Sequence, residues 1–429
     1  MSETPYLSVV VTARNDNHGG NMLRRMQIFV SGLLEQCRRY ELPAELVLVE
    51  WNPPADRPRL AEALDWSPQP SPCQIRIIEV PPEAHQQFNH ADVLPLFQML
   101  GKNVGIRRAR GQFVLATNID LLFTNELFDF LASRKLKSDE IYRVDRYDVP
   151  ADVPLGCPID EQLAYCENHI LRINHRCGTD ILKSETLEVE EIDDTVTEPE
   201  ASPPSRIDWD FIPESLTPAL LKIRTVYRRL LPVGVKDFIL RLMPTDLINW
   251  LIRRGLLTVQ PTPAPPEPEP VSEPEPPEEP VLPQLHLNAC GDFTLMDREH
   301  WLALRGYPEF EMHGLHLDSI LCFAAHYRGL KEHVLGNGMR AYHIEHTRTW
   351  FHDVAPETFV DHGNAGQIPK LSFEQLVSFG LLMKQLKRPL IFNNEDSWGL
   401  GHLNLPEIEI TAPSYGCKNI AEPNNLIMS

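Results

Sequence analysis

Long apolar runs are missing from this 429-residue chain. No stretch of about 18 residues is continuously apolar, so a membrane-spanning helix is not expected. The opening Met-Ser-Glu-Thr-Pro-Tyr has neither the basic nor the apolar region of a signal peptide, and a cytoplasmic protein is the expectation. Cysteine is sparse. Its eight residues are scattered, and Cys37, Cys290 and Cys322 sit in apolar runs, which suits buried free thiols in a reducing compartment. Three glycine-rich signatures are absent as well. The first strand leads into Thr12-Ala-Arg-Asn-Asp-Asn-His-Gly-Gly, not into the Gly-x-Gly-x-x-Gly that a hydride-transferring dinucleotide fold needs there. No Gly-x-x-x-x-Gly-Lys-Ser/Thr occurs, against a P-loop NTPase, and no glycine-rich basic loop follows the first strand, against a nucleotidyltransferase.

Bases are in deficit too, with 40 Lys and Arg against 60 Asp and Glu and a net charge of −20. The excess is concentrated. Residues 185–205 hold eight acids and residues 261–283 six, with no base in either tract. The remainder is only mildly acidic, so global charge says little about a substrate, and nothing calls for nucleic acid as a partner. Hydrophobic residues make up 42% of the chain, enough for a substantial core.

What is present reads as an α/β chain. Leu7–Thr12 is a β-branched run of the kind a strand covered on both faces shows. From Met22 to Arg39 apolar residues recur at helical spacing. Strand patterns follow at Leu46–Trp51, Ile75–Val80, Phe113–Ala116 and Ile141–Val144, with helical ones at Phe97–Arg108 and at Thr124–Ser133, where Thr124 is the expected N-cap. Strands separated by helices predict right-handed crossovers and an open, Rossmann-like sheet whose site lies at the carboxyl ends of its strands. The pattern weakens after Pro150 and resumes near Leu285. Residues 1–150 and 285–407 therefore read as two halves of one domain, residues 151–284 as an insertion and residues 408–429 as a tail. The insertion joins the acidic tract 185–205, basic amphipathic helices over 218–257 and a Pro/Glu linker over 261–283 with eleven prolines. The basic helices suit peripheral contact with the inner face of an anionic membrane, or docking as a small helical subdomain.

The most informative segment is Gly101–Asn125, in which a basic helix leads to a buried strand that ends in Asn118-Ile119-Asp120. An acid at a strand's carboxyl end is placed to hold a divalent cation, and oxygen ligands suit Mg²⁺ or Mn²⁺. Asn118 and Asp120 could equally shape a turn. Later in the chain, Asp318 opens a helical pattern, where an acid serves as a general base or simply faces the positive end of the helix dipole. His343 and His346 can supply imidazole to a cation begun by Asp120, bind zinc, or pack. Cys157, Cys166, His169, His175 and Cys177 match no standard zinc spacing and read as incidental. Phe392–Gly401 reads either as a lid carrying Trp398 or as a turn packed on the core.

Taken in order, these segments resemble the GT-A class of glycosyltransferases, family 2 in particular, over roughly 1–150 and 286–405. The resemblance rests on Ala13-Arg14-Asn15-Asp16 after the first strand and on Glu50 at the end of the second. It rests further on Lys102-Asn103-x-Gly105-x-Arg107 before the acid turn and on Asn288–Met296 with Trp301 and Arg305–Glu309. It implies a GT-A fold and transfer of a sugar from a UDP- or GDP-sugar to a glycan or lipid-linked acceptor. It also implies a divalent metal on Asp120, His343 and His346, with Asp318 as general base and inversion at the sugar. Donor contacts are implied for Ala13, Arg14, Asn15, Glu50, Lys102, Asn103, Arg107, Asn118, Gly291 and Asp292. Asn118 stands where the family pattern has its first acid, which shifts the metal onto Asp120. That departure also leaves open a GT-A-like binding or scaffold protein that acts through its insertion.

Overall fold

A computed structural model describes residues 4–66, 71–182, 282–346 and 368–410. All of these belong to the unit made by Met1–Thr186 with Glu279–Ser429. The acidic tract, the basic helices with their expected membrane contact, nearly all of the Pro/Glu linker and residues 411–429 lie outside the described residues. Among those described, no helix is long and apolar enough to cross a membrane.

The order of elements follows the apolar patterning closely at first. Strand β1 (Leu7–Ala13) is followed by α1 (Met22–Arg39), β2 (Ala44–Trp51), α2 (Leu60–Ala63), β3 (Cys73–Val80), α3 (Pro82–His85) and α4 (Gln98–Arg108). Then come β4 (Phe113–Thr117), β5 (Leu121–Phe123), α5 (Asn125–Ala132), β6 (Glu140–Val144), β7 (Arg146–Val149), α6 (Ile159–Asn168), β8 (Arg172–His175) and β9 (Gly178–Ile181). After residue 282 the chain adds β10 (Phe293–Asp297), α7 (Arg298–Leu304), α8 (Leu317–Tyr327), β11 (Lys331–Leu335), β12 (Ala341–Ile344), α9 (Phe373–Leu386) and β13 (Glu407–Ile410).

Eight strands form one sheet in the order β11-β6-β10-β4-β1-β2-β3-β13. Strands β1 to β4 are parallel, whereas β10 and β13 run antiparallel to their neighbours β4 and β3. The continuous apolar runs arise because helices cover both faces. Along β1, Leu7, Val9 and Val11 enter one core while Val10 enters the other, as a period of two requires. Strand order reverses on either side of β1, between β2 and β4, and an open α/β sheet places its crevice at the carboxyl ends of the strands at such a point.

Helix α4 reaches that crevice by lying close against the sheet. A Cβ at Gly105 would sit 2.5 Å from Val10, and one at Gly101 2.3 Å from Thr12. Only residues without a side chain allow this approach, and it sets Lys102 facing the strand ends.

A second sheet has the order β5-β12-β7-β8-β9. The insertion is expected from residue 151; α6, β8 and β9 belong to the unit that includes Met1–Thr186. Pattern reading passes over β8 because its pairing is carried by charge. Arg172 and Asn174 both bond Asp148 of β7. At the other end, residues 407–410 join the large sheet as β13 instead of starting a tail.

Gly105→Ala should lower stability by about 1–3 kcal/mol, because a methyl group there must displace Val10 or lift the helix. Urea unfolding measures this, and an unchanged midpoint would contradict the close approach.

Candidate metal and donor site

Strand β4 ends at Thr117, and the chain turns through Asn118 and Ile119 to Asp120 before β5. The Ile344 N–H donates to the Asp120 carbonyl at 3.0 Å, and β12 pairs antiparallel with β5 so that His343 faces Leu121 in register. This pairing brings together residues more than two hundred positions apart. His343 Nε2 lies 3.8 Å and His346 Nε2 3.7 Å from Asp120 Oδ2. Asp120, His343 and His346 form a group that could hold a metal ion.

Two groups next to this trio are not evident from motif reading. Arg25, on α1, donates from Nη1 to Asp120 Oδ2 at 2.8 Å, with only 2% of its side chain exposed. Asp148, fully buried on β7, lies 3.0 Å from His343 Nδ1 through its Oδ1. An ionised carboxylate only accepts, so Nδ1 carries the proton and His343 Nε2 is turned toward Asp120. Burial acts to raise the Asp148 carboxyl. The hydrogen bond from His343 and the charges of Arg146 and Arg172 outweigh it and hold the group well below the usual carboxylate range. Asp148, His343 and Glu345 are likewise close enough to share an ion. However, Arg146 and Arg172 already pair with Asp148, and Arg172 also pairs with Glu345, so that group is a closed ion-pair network.

The residues of the trio fit a cation. Asp120 Oδ1 and His346 Nδ1 are buried and have no hydrogen-bond partner, and polar atoms of this kind call for an explanation such as an ion or water. Burial acts to raise the Asp120 carboxyl, but the charges of His343, His346, Arg25 and Arg146 hold it lower than usual. Burial pushes His346 down to about 4, so near neutral pH the carboxylate is ionised and that imidazole is free to ligate.

The neighbouring groups arrange themselves around Lys102, which is fully buried and donates from Nζ to the Gly291 carbonyl at 2.7 Å. Burial pushes its ammonium down to about 8, against the pull of Asp292, Asp318 and Asp120. Asp318 lies in the first turn of α8, with Oδ1 accepting the Ser319 N–H at 2.8 Å. Its Oδ2 looks onto Gly291, where an added Cβ would stand 2.7 Å away. Ala289 and His316, which precede these two residues, both adopt left-handed backbone (φ 50° and 65°), the kind of strain that gathers at functional sites. Asp292 is claimed by Arg146 at 2.6 Å and by Asn118. Asn118 also accepts from Gln98 at 2.8 Å, so its side chain braces Asp292 and α4 and does not join the trio.

On the other side of the switch point, Ala13 and Glu50 are partners in register at the ends of β1 and β2. Arg14 donates to the Asn52 carbonyl at 2.7 Å and pairs with Asp16, while Asn15 donates to the Pro58 carbonyl at 2.7 Å. These bonds stitch the two strand-end loops together. Glu50 is 1% exposed and accepts the Leu60 N–H at 3.0 Å, and burial pushes its carboxyl up to about 7.

Asn103 and Arg107, two of the expected donor contacts, have partners within the chain. Asn103 is fully buried, donating to the Tyr307 carbonyl at 2.8 Å and Glu309 Oε1 at 2.9 Å while accepting the Tyr307 N–H at 2.8 Å. Arg107 donates to the Glu395 and Trp398 carbonyls at 3.0 and 2.9 Å and lies 5.1 Å above the Trp398 ring. Both residues tie α4 to the C-terminal loops. Trp398 is 4% exposed beneath that guanidinium, so the loop is packed and is not a lid. Cys166 lies in a small apolar core under the second sheet.

No family profile matches the chain, and no curated protein matches it. Among the 64 solved chains that match, the crystal structure of S. aureus TarS is similar over 35% of this chain at 15% identity, with a TM-score of 0.21. The match spans 23% of that chain's length, and so slight a likeness carries no argument.

Because the folded Glu50 carboxyl takes its proton near pH 7 and an unfolded one near 4.5, folding is favoured below the lower value and loses stability as pH rises through the upper one. Glu50→Gln keeps the acceptor for Leu60 and removes that loss. At pH 8 the variant should exceed the wild type by on the order of 1–3 kcal/mol, converging toward pH 4.5, in denaturant titrations at each pH. Parallel curves would show that Glu50 ionises normally.

Proposed function

We propose that the chain is a GT-A-type glycosyltransferase that moves a sugar from a nucleoside-diphosphate sugar to an acceptor hydroxyl. The observation that carries the reading is the convergence of Asp120, His343 and His346 at the carboxyl end of the sheet's switch point, with two buried polar atoms left unpaired. A divalent cation held there would neutralise the diphosphate as it leaves. One carboxylate and two imidazoles suit Mn²⁺ better than Mg²⁺, which favours oxygen throughout.

The chain's own residues then divide the work. Glu50 and the joined loops at Ala13, Arg14 and Asn15 bind the nucleoside at the ends of β1 and β2. Lys102, buried near Asp292 and Asp318, sets an ammonium beneath the donor and braces the Gly291 backbone. Asp318 Oδ2 takes the proton of the acceptor hydroxyl. The acceptor oxygen bonds to the anomeric carbon as the bond to the diphosphate breaks, with inversion. Glycan and lipid-linked acceptors both present such a hydroxyl.

A second reading has its own observation. Asn118 is locked between Gln98 and Asp292, and Arg25 already occupies one oxygen of Asp120. A non-catalytic GT-A-like scaffold that acts through its insertion needs no cation or nucleotide at this site. Protein that ignores UDP and GDP in calorimetry, with and without Mn²⁺, yet sediments with anionic liposomes would favour it.

A screen of UDP- and GDP-sugars, read by release of the diphosphate, should find one donor hydrolysed slowly with Mn²⁺ and not with EDTA. Asp318→Asn should then lower transfer by about 100-fold or more while donor affinity stays within a few-fold, since a base acts only in the transition state. Near-normal turnover would take the base role away from Asp318.

A further inference from the structure

We infer that Arg25 is a built-in competitor for the divalent cation, so that cation and donor diphosphate bind as a coupled pair. This rests on the metal reading above. It deepens that reading by saying when the cation can enter.

Arg25 donates to Asp120 Oδ2, the same oxygen that lies 3.8 Å from His343 Nε2 and 3.7 Å from His346 Nε2. A guanidinium does not give up its proton in a protein, so its charge is permanent. Its position is equally fixed, since Nη2 donates to the carbonyls of His18 and Gly20 at 2.6 and 3.3 Å. The loop carrying those carbonyls presses on the site from above. Gly19 has φ +66°, and a Cβ there would lie 2.6 Å from His346 Nδ1. Arg25 is thus held both to the loop beside His346 and to the carboxylate of the trio.

The neighbouring acids cannot relieve the competition. Asp148 is taken by Arg146 and Arg172, and Asp292 by Arg146. Lys102 adds a further cation to the same neighbourhood. A divalent ion arriving alone therefore meets a carboxylate already neutralised and a repelling guanidinium beside it. A diphosphate brings the negative charge that both cations lack. By linkage, each of the two ligands then raises the affinity of the other.

The test measures Mn²⁺ affinity of the full chain by calorimetry and by the electron-spin signal of free Mn²⁺, alone and with UDP or GDP. Wild-type protein should bind Mn²⁺ weakly alone and at least about tenfold more tightly with the nucleotide it recognises. Arg25→Gln should bind Mn²⁺ alone at least about tenfold more tightly than wild type and gain less from nucleotide. Arg25→Lys, which keeps the charge, should stay near wild type. Competition is ruled out if nucleotide leaves wild-type Mn²⁺ affinity unchanged, a result that needs no variant to fold. It is also ruled out if folded Arg25→Gln binds Mn²⁺ no more tightly than wild type. Absence of Mn²⁺ binding in every arm removes the metal site itself, whereas tight binding insensitive to nucleotide removes only the role of Arg25.

Discussion

Asp120 is a carboxylate held at the tip of a buried strand, and a charge in that position must be matched. Arg25 supplies a full positive charge at 2.8 Å, and two imidazoles stand less than 4 Å away. Behind them a second layer repeats the pattern, with Asp148 between His343, Arg146 and Arg172. Removing any one partner of such a network leaves an uncompensated charge in a region with little water, which is usually costly. The arrangement is therefore rigid for electrostatic reasons as well as for reasons of packing.

The same constraint explains why the small sheet exists. Its strands β7, β8 and β12 carry Arg146, Asp148, Arg172, Asn174 and His343, and its backbone ladder fixes these side chains in register. Elsewhere in the unit, burial of apolar side chains does that work. Helix α4 shows the two modes side by side. Gly101 and Gly105 press its backbone onto β1, while Lys102 on the same helix carries charge to the strand ends.

The central strands are legible in the sequence because each is covered on both faces and so is mostly apolar, as in Leu7–Ala13, where Ser8 and Thr12 are the polar residues. Asp120, His343 and His346 stand out because carboxylate and imidazole are uncommon beside such runs. The small sheet is not legible, since β8 reads Arg-Ile-Asn-His and is stabilised by ion pairs that propensity does not register. A weaker signal does exist. Arg146 and Asp148 are two apart in a strand and share a face, so a strand with charge directed inward can be inferred. Arg25 gives a similar hint, three residues after Met22 and four before Phe29, which places a base on the apolar stripe of α1. Asn103 and Arg107 show what the sequence leaves open. Their residue types fit a donor helix, but the direction of a side chain depends on contacts with Tyr307, Glu309 and Trp398, far off in sequence.

Strand β10 lies between β4 and β6, although it is made long after both. During synthesis the ribosome must pass through the whole stretch from residue 145 to residue 292 before the gap can be filled. At about 5–20 residues per second, two facing strand edges stay open for on the order of ten seconds. Such edges invite pairing with other chains. The acidic tract of residues 185–205 emerges within that interval, so a nascent chain carries its densest negative charge while it is most prone to stick to its neighbours.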